Sequence, residues 1–526
     1  MKHSCIAITV FLIISMGSSG IVHAQNNVDL FESYRQNMDK WFEDVRTHND
    51  KVFEGYREQI NKEFASYIER EWNKTSLSKA IPYPFKPEPK PIVDSRPAEN
   101  SRPLPHTPPV ILPEPNPQPR PIEPIRVKPV DPIDILPGTP KPVIPEEDVV
   151  IVPNVPSEKV PDVEDNSGKI SFTFFSNLCK VRLPEKKGYT ISTGANNEVA
   201  NAWAVLSQEQ YNDLLVDCLC IRKSLNLCDW AFYQFTQALT AEYFGSYECN
   251  DAVVMQVYIM SQLGYKVRMA KQKSQLICLI AFDDRIFSAP YLEIENENFY
   301  CFAENVDDGR IQICDYQFPG EQACSARMKG FPTVPYAKSS DRVVRSQHFS
   351  LAAGKVATNL NLIKFYDSYP ACSWEIQAEA SLSKEVKDQL YPSLRRAINN
   401  LSEAQAANVL LNFVQTGFEY QTDDEQFGRE KSFFGDETFY YPYCDCEDRS
   451  ILFSILVKDL LGMDVVLLDY PFHIATAVRF NENIKGDYFD IEGQKYIICD
   501  PTYIGAPIGK SMPDMLNLKA NILKVR

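Results

Sequence analysis

The sequence predicts an α+β fold, with two globular units behind an extended N-terminal region. Three observations predict this class. Apolar residues from Leu30 to about Trp72 recur with helical spacing, 25 of the 37 prolines fall between residues 82 and 161, and the C-terminal part has the order helix, strand, strand, strand. The chain has 526 residues, of which 44% are hydrophobic, so it is long and apolar enough to form more than one packed core.

Residues 1–24 have the pattern of an export signal. Lys2 precedes an apolar run from Ile6 to Met16, and Val22-His23-Ala24 resembles a cleavage site before Gln25. The run is much shorter than the roughly 20 apolar residues that span a bilayer. We therefore expect a protein that is exported to the periplasm or outside the cell, with no membrane span.

The charge of the chain disfavours some partners. Its formal charge is −16, and without Lys2 the mature chain has 53 Lys and Arg against 70 Asp and Glu, a charge of −17. Nucleic acids and anionic membranes attract basic proteins, so neither is expected as a partner.

Residues 25–78 are predicted to form one long amphipathic helix. The apolar stripe includes Phe31, Met38 and Trp41 and continues to Phe64, with charged residues between. It drifts by one residue near positions 48–52, as in a broken heptad of a coiled coil. Such a helix needs a partner surface: it is either a brace on its own protein, or a site for self-association or protein docking through residues 28–72.

Residues 79–165 are predicted to form a proline-rich linker. Segments such as "KPEPKPIVDSRP" have polyproline II composition, which is extended and semi-rigid. A spacer is the favoured interpretation, and a ligand for a proline-binding groove is the alternative.

The cysteines allow no disulfide assignment. Cys5 belongs to the leader, and the other 13 cannot all pair within one chain, so at least one thiol is free or intermolecular. An oxidising compartment would permit pairs such as Cys314 with Cys324, or one among Cys218, Cys220 and Cys228.

The globular region is divided into units at 166–345 and 346–526. In the second unit, Ser402 and Gln405 form a capping box before an apolar helical face. A long aromatic and charged loop follows, then a helix from Cys446 to Leu461. The segments "MDVVLLDY", "HIATAVRF" and "QKYIICDPTY" complete the unit as strands.

This second unit contains the residues of a thiol nucleophile with its base and an orienting acid. Cys446 starts a helix, His473 starts a strand and Asp500 ends another. A helix N-terminus favours the thiolate, while Glu447 and Asp448 oppose it, so the net effect is open at this stage. Of the six histidines, only His348 and His473 lie in the globular region, which makes His473 the candidate base.

Three other interpretations of these residues remain. His473 is a structural residue at a strand start, or Cys444, Cys446, His473 and Asp500 are zinc ligands, or Cys444 is a resolving thiol for Cys446. The C-x-C spacing is weaker evidence for zinc than paired CxxC motifs are.

The runs "DCEDRS", "PFHIATAV" and "CDPTY" contain these three residues in the order found in the transglutaminase-like superfamily, which the segment from Leu382 to Arg526 resembles. The resemblance implies a papain-type cysteine fold and a Cys446–His473–Asp500 triad. It also implies acyl transfer, which in bacterial relatives is often peptidase activity. The oxyanion donor is not matched by motif: Gln426 and Gln421 are candidates, beside the backbone N–H of Cys446.

Residues 248–282 align with 445–480 in a second, degenerate copy of the motif. Cys249 then falls on Cys446, Gln275 on His473 and Ala303 on Asp500. Gln cannot act as a general base and Ala cannot orient one, so the unit at 166–345 is expected to be an inactive pseudoenzyme domain that binds or packs. The prediction requires a helix followed by antiparallel strands in both copies.

The expected function is that of a secreted cysteine peptidase or amidase, which acts on a peptide or protein through a Cys446 thioester. One alternative is a non-catalytic peptide-binding or scaffold protein of the same fold, and another is a crosslinking transglutaminase. The sequence indicates no cofactor and no metal.

Overall fold

The computed structural model describes residues 55–84, 91–94, 169–304, 306 and 309–525. It is mixed α+β, with 37% helix, 24% strand and curled sheets, so the predicted class is confirmed. All of these residues except 55–60 belong to one compact unit. Within the described residues, no helix is both long and apolar enough to cross a membrane.

The predicted N-terminal helix ends earlier than expected. Helix α1 covers residues 55–68 of the described chain, and strand β1 follows at Asn73–Ser76, where the sequence predicted helix up to residue 78. Pairing of β1 with a sheet strand overrides the local pattern, because Asn73 lies opposite Ile313 in an antiparallel ladder. Phe64 of α1 is buried, with its ring 4.4 Å from that of Trp203, so this part of the helix braces its own protein. Residues 25–54 lie outside the described residues.

The first half of the globular region begins with the hairpin β2 (Lys169–Phe174) and β3 (Asn177–Arg182). Four helices follow: α2 (Asn196–Leu206), α3 (Asn212–Ser224), α4 (Asp229–Phe244) and α5 (Asn250–Gln262). The strands after them are β4 (Val267–Gln272), β5 (Gln275–Ala281), β6 (Tyr291–Ile294), β7 (Glu297–Cys301) and β8 (Arg310–Cys314). They form an antiparallel sheet in the order β1-β8-β4-β5-β7-β6.

The second half begins with the hairpin β9 (Arg342–Arg345) and β10 (Ala353–Val356). Its helices are α6 (Leu360–Asp367), α7 (Trp374–Glu379), α8 (Lys384–Ile398), α9 (Glu403–Gly417), α10 (Asp423–Phe427), α11 (Glu437–Tyr440) and α12 (Cys446–Leu461). The short strands β11 (Glu419–Tyr420) and β12 (Tyr443–Cys444) pair in parallel. The main strands are β13 (Val465–Tyr470), β14 (His473–Arg479), β15 (Tyr488–Ile491), β16 (Gln494–Cys499) and β17 (Asn521–Lys524), in the order β15-β16-β14-β13-β17.

The two sheets share one arrangement. Each follows a buried helix, and the order β8-β4-β5-β7-β6 corresponds strand by strand to β17-β13-β14-β16-β15. The register also corresponds: Gln272 pairs with Gln275 as Tyr470 pairs with His473, and Leu279 pairs with Cys301 as Ala477 pairs with Ile498. A helix followed by antiparallel strands therefore occurs in both halves, as the aligned motifs require.

Helix α12 lies at the centre of the second half. Its side chains from Cys446 to Val457 are buried on all faces. A helix that is buried on all sides must be enclosed by other elements, and here α9, α7 and β14 pack against it. This enclosure fixes the position of the helix N-terminus within the domain.

The proline-rich region is not a free spacer at its start. Of the predicted linker at 79–165, residues 79–84 and 91–94 are described, and both pieces pack on the globular region. The hydroxyl of Tyr83 is 2.6 Å from Ser432 Oγ, and Asp94 N–H donates to the Ile504 carbonyl at 2.9 Å. Prolines have no backbone N–H group to donate, but Ile92 and Asp94 lie between prolines. The backbone groups of these two residues make the bonds to Ile504. The rest of the predicted linker lies outside the described residues.

The 13 cysteines of the described residues are free thiols, and ten of them are buried. Cys314 and Cys324 are not bonded to each other, and neither are Cys218, Cys220 and Cys228. Burial raises the pKa of Cys314 to about 12 and that of Cys301 to about 11. Cys314 and Cys301 are packing residues in the fold.

Candidate active site

Cys446 is the first residue of α12, and the capping box of this helix positions it. Asp445 is the N-cap residue, and its N–H donates to Asp448 Oδ2 at 3.2 Å. The second oxygen of Asp448 accepts from Phe433 N–H at 2.8 Å. The long loop before the helix is thereby attached to the first turn that contains the thiol.

His473 and Asp500 are joined by a buried hydrogen bond. His473 is the first residue of β14, and Asp500 directly follows β16, the neighbouring strand. His473 Nε2 lies 3.0 Å from Asp500 Oδ2, and their side chains are 0% and 2% exposed. The sequence places these residues 27 positions apart, and pairing of the two strands brings them together.

The sulfur of Cys446 contacts the residue next to His473. Ile474 N–H donates to Cys446 Sγ at 3.2 Å, and Ser450 Oγ, one helical turn after Cys446, donates to the Ile474 carbonyl at 3.0 Å. Both ends of the Ile474 residue are therefore held by α12. This double contact fixes the start of β14, and with it His473, against the thiol end of the helix.

The other imidazole nitrogen, His473 Nδ1, is buried and has no hydrogen-bond partner within the described residues. Because Asp500 occupies Nε2, it favours the tautomer with hydrogen on Nε2 and an unprotonated Nδ1. Such a nitrogen is able to accept a proton. A buried imidazole with one occupied and one open nitrogen is the arrangement that a general base requires.

Backbone N–H groups of the loop after β16 orient the Asp500 carboxylate. Thr502 and Tyr503 N–H groups donate to Asp500 Oδ1 at 2.9 and 3.2 Å. Gln415 of α9 lies within 3.0 Å of the carbonyl oxygens of Asp500, Tyr503 and Ala506 through its Nε2, and its Oε1 accepts from Gly505 N–H. Its two N–H bonds are shared among three acceptors. Asp500 is thus oriented without depending on His473.

Carboxylates crowd the opposite side of the thiol. The Cys446 thiol donates to Glu447 Oε2 at 3.4 Å, and Glu447 is 2% exposed. A carboxylate at this distance opposes formation of a thiolate. Burial also raises the pKa of Asp448 to about 7. Glu447, whose effect the sequence leaves open, therefore opposes the thiolate form of Cys446.

The site is closed to solvent. Cys446 and His473 are 0% exposed and Asp500 is 2% exposed. Phe472, directly before His473, is 48% exposed, and Tyr443, three residues before Cys446, is 37% exposed. Two aromatic side chains next to the site along the chain therefore face solvent, while the three candidate residues do not.

Gln426 is the better supported of the two candidate oxyanion donors. Its Oε1 accepts from Tyr443 N–H at 3.3 Å, which ties the side chain to the strand before Cys446. Its Nε2 is a buried donor with no partner within the described residues. The side chain of Gln421 makes no hydrogen bond within the described residues, whereas the N–H of Cys446 itself is at the helix start.

The zinc interpretation lacks a cluster. Within the described residues, Cys444, Cys446, His473 and Asp500 do not form a set of three ligand atoms within 4.8 Å of one another. The sets that do are carboxylates near the same helix start: Asp423 with Glu430 and Glu447, and Asp423 with Asp445 and Asp448. Their oxygens suit a hard cation, but several already accept hydrogen bonds, such as Asp423 Oδ2 from Lys431 N–H. We assign no metal here. Cys444 is also a free thiol, not bonded to Cys446.

The aligned position in the first half has a cysteine but neither a histidine nor an aspartate. Cys249 is the N-cap residue of α5, and its thiol donates to the Ser246 carbonyl at 3.3 Å. Gln275 starts β5, and Ala303 follows β7 by two residues. A cavity of about 20 Å³, lined in part by Gln275 and Ala303, remains there, enough for about one water molecule.

Three contributions were not predicted from the sequence: Gln415, Ser450 and the thiol contact of Glu447. Gln415 and Ser450 lie on buried helix faces, where a polar residue within an apolar pattern is the only signal. No known protein family, curated protein or solved structure matches this chain.

Proposed function

We propose that the chain is a thiol-dependent acyl-transfer enzyme with Cys446 as nucleophile, His473 as base and Asp500 as the acid that orients it. The supporting observation is the bond from His473 Nε2 to Asp500, which leaves Nδ1 open, together with the bond from the Ile474 N–H to Cys446 Sγ, one residue along the chain from the histidine. A histidine oriented by a carboxylate, and a thiol bonded to the same strand, support this assignment.

In the proposed reaction, His473 Nδ1 takes the Cys446 proton and the sulfur attacks a carboxamide carbon. The C–N bond breaks, the amine leaves with the proton from His473, and a thioester remains. Water then releases the acid, or an amine forms a new amide, and the thiol is restored. Gln426 Nε2 and the Cys446 N–H are the proposed donors to the oxyanion.

The proposal includes a transglutaminase-like fold in two tandem copies, the first inactive. The shared strand order and register of the two sheets support duplication, and the loss of His and Asp at Gln275 and Ala303 supports inactivity of the first copy. It also includes export after removal of residues 1–24, and hydrolysis of a peptide or protein substrate as the default outcome.

A second candidate function is non-catalytic peptide binding. The observation that favours it is the closure of the site, because Cys446 and His473 are 0% exposed. In this case the Cys446 cluster is a structural core, and the exposed aromatic residues Phe472 and Tyr443 are the recognition surface.

The test is the rate of Cys446 alkylation by iodoacetamide from pH 5 to 9, measured by mass spectrometry of its peptide. We expect labelling with a midpoint well below the free thiol pKa of about 8.5, lost in His473→Ala. His348→Ala is the matched control, since His348 is exposed and outside the site. An ordinary midpoint in the natural protein would refute the triad and leave the binding function.

Hydrolysis and amine transfer differ in the second step. A glutamine-containing peptide with and without excess labelled primary amine separates them. Release of ammonia with a free carboxylate product indicates hydrolysis, and incorporation of the label indicates crosslinking. Cys446→Ser must abolish either product.

A further inference from the structure

We propose that Asp94, at the start of the proline-rich region, positions Asp500, the acid that orients His473. This inference rests on the proposed function and deepens it by adding a positioning residue from a segment 400 residues away in sequence. Asp94 acts through the loop that holds Asp500, because it bonds to Tyr503 and Ile504 of that loop.

The segment 91–94 lies extended along that loop. Asp94 N–H donates to the Ile504 carbonyl and Ile504 N–H donates to the Ile92 carbonyl, both at 2.9 Å. Val93 faces Ile504 in a parallel β-bridge. These bonds pair a short extended segment with the loop that Gln415 also contacts.

The side chain of Asp94 makes this attachment specific. It accepts from the Tyr503 hydroxyl at 2.7 Å and pairs with the ammonium group of Lys510. The side chains of Asp94 and Lys510 are 7% and 2% exposed. Loss of one member of a buried ion pair is unfavourable because the other remains without its counter-charge. The pair therefore keeps the segment in place.

Tyr503 connects Asp94 to Asp500. Its hydroxyl donates to Asp94, and its backbone N–H donates to Asp500 Oδ1 at 3.2 Å. The other oxygen of Asp500 bonds to His473 at 3.0 Å. A continuous series of hydrogen bonds thus extends from Asp94 through Tyr503 and Asp500 to His473. Displacement of Asp94 is expected to loosen Asp500 and weaken the histidine as a base.

The chain before residue 85 is also bound to the globular region. Tyr83 contacts Ser432, and its ring lies 5.1 Å from Phe287 and 5.9 Å from Trp374. Ser78 N–H donates to the Tyr291 carbonyl of β6 at 2.7 Å. Residues on either side of positions 85–90 are therefore both bound to the globular region.

The experiment uses the full mature chain with Tyr503→Phe, which removes only the hydroxyl, and Asp94→Asn. Tyr496→Phe on β16 is the matched control. The readout is the pH profile of Cys446 alkylation, with Cys249 in the same molecule as an internal reference, and hydrogen exchange of the peptide containing residues 500–506. We expect both variants to raise the alkylation midpoint, with at least a threefold loss of rate at pH 6, and to speed loop exchange.

The outcomes separate this inference from the function on which it rests. Faster exchange with an unchanged alkylation profile would show a purely structural segment and overturn the positioning role. Unchanged exchange and profile in both variants would overturn it too. A low midpoint in the natural protein preserves the proposed function in either case, whereas an ordinary midpoint there overturns the function and the positioning role together.

Discussion

Replacement of Glu447 by glutamine is expected to lower the pH at which Cys446 reacts. The Cys446 thiol donates to Glu447 Oε2 at 3.4 Å, and Glu447 is 2% exposed. An ionised carboxylate at this position repels the negative charge of a thiolate. Glutamine has nearly the same size and removes the charge, so Glu447→Gln tests this effect alone.

The distance sets an upper limit for the change. Two unit charges 3.4 Å apart interact by about 5 kcal/mol at an effective dielectric constant of about 20. Since one pKa unit corresponds to about 1.4 kcal/mol, the upper limit for the change in the pKa of Cys446 is roughly three to four units. The carboxylate charge is shared by two oxygens and the glutamine dipole remains, so we expect a shift of at least about one pH unit, or tenfold in rate below the midpoint.

The assay is again alkylation of Cys446 followed peptide by peptide across pH. Glu425→Gln is the control, because Glu425 is an exposed residue of α10. An unchanged or higher midpoint in a folded Glu447→Gln protein would refute the reasoning. It would mean that the Glu447 charge does not act on the sulfur.

Two further predictions concern stability. Burial raises the pKa of Asp436 from 3.8 to about 6, so its stabilising contribution is fully present below about pH 4 and is lost as the pH rises through 6. In urea unfolding, the free energy of unfolding of Asp436→Asn minus that of the natural protein should therefore rise by about 2 kcal/mol from pH 4.5 to pH 7.5. A difference between the two proteins that does not change with pH would contradict this. Gln415→Ala should lower the free energy of unfolding by about 3 kcal/mol, because it leaves buried carbonyls of the Asp500 loop without donors, whereas the exposed Gln347→Ala should change it by less than about 0.5 kcal/mol.

The positions of the candidate residues in their elements could be predicted because each lies at an element boundary. Cys446 begins a helix, His473 begins a strand and Asp500 directly follows one, and local patterns of polarity and capping indicate such boundaries. The α+β class follows from the same periodicities. The paired order of the strands in the two halves also agrees with the aligned motifs.

Contacts between distant segments could not be predicted. Strand β1 at Asn73–Ser76 has few apolar residues, and only its partner β8 makes it a strand. The proline content around Asp94 indicates an extended chain but not the surface on which it lies. The closure of the site depends on how helices pack around α12, which a single sequence does not encode locally.

The buried thiols make the chain a reporter of its own opening. Ten of the 13 cysteines in the described residues are buried in the native fold, and burial raises the pKa of Cys314 to about 12 and that of Cys301 to about 11. A reagent that modifies Cys446 alone detects a local fluctuation near α12, whereas simultaneous modification of all ten detects cooperative unfolding. The ratio of these two rates measures how often the closed site admits a small molecule without loss of the fold.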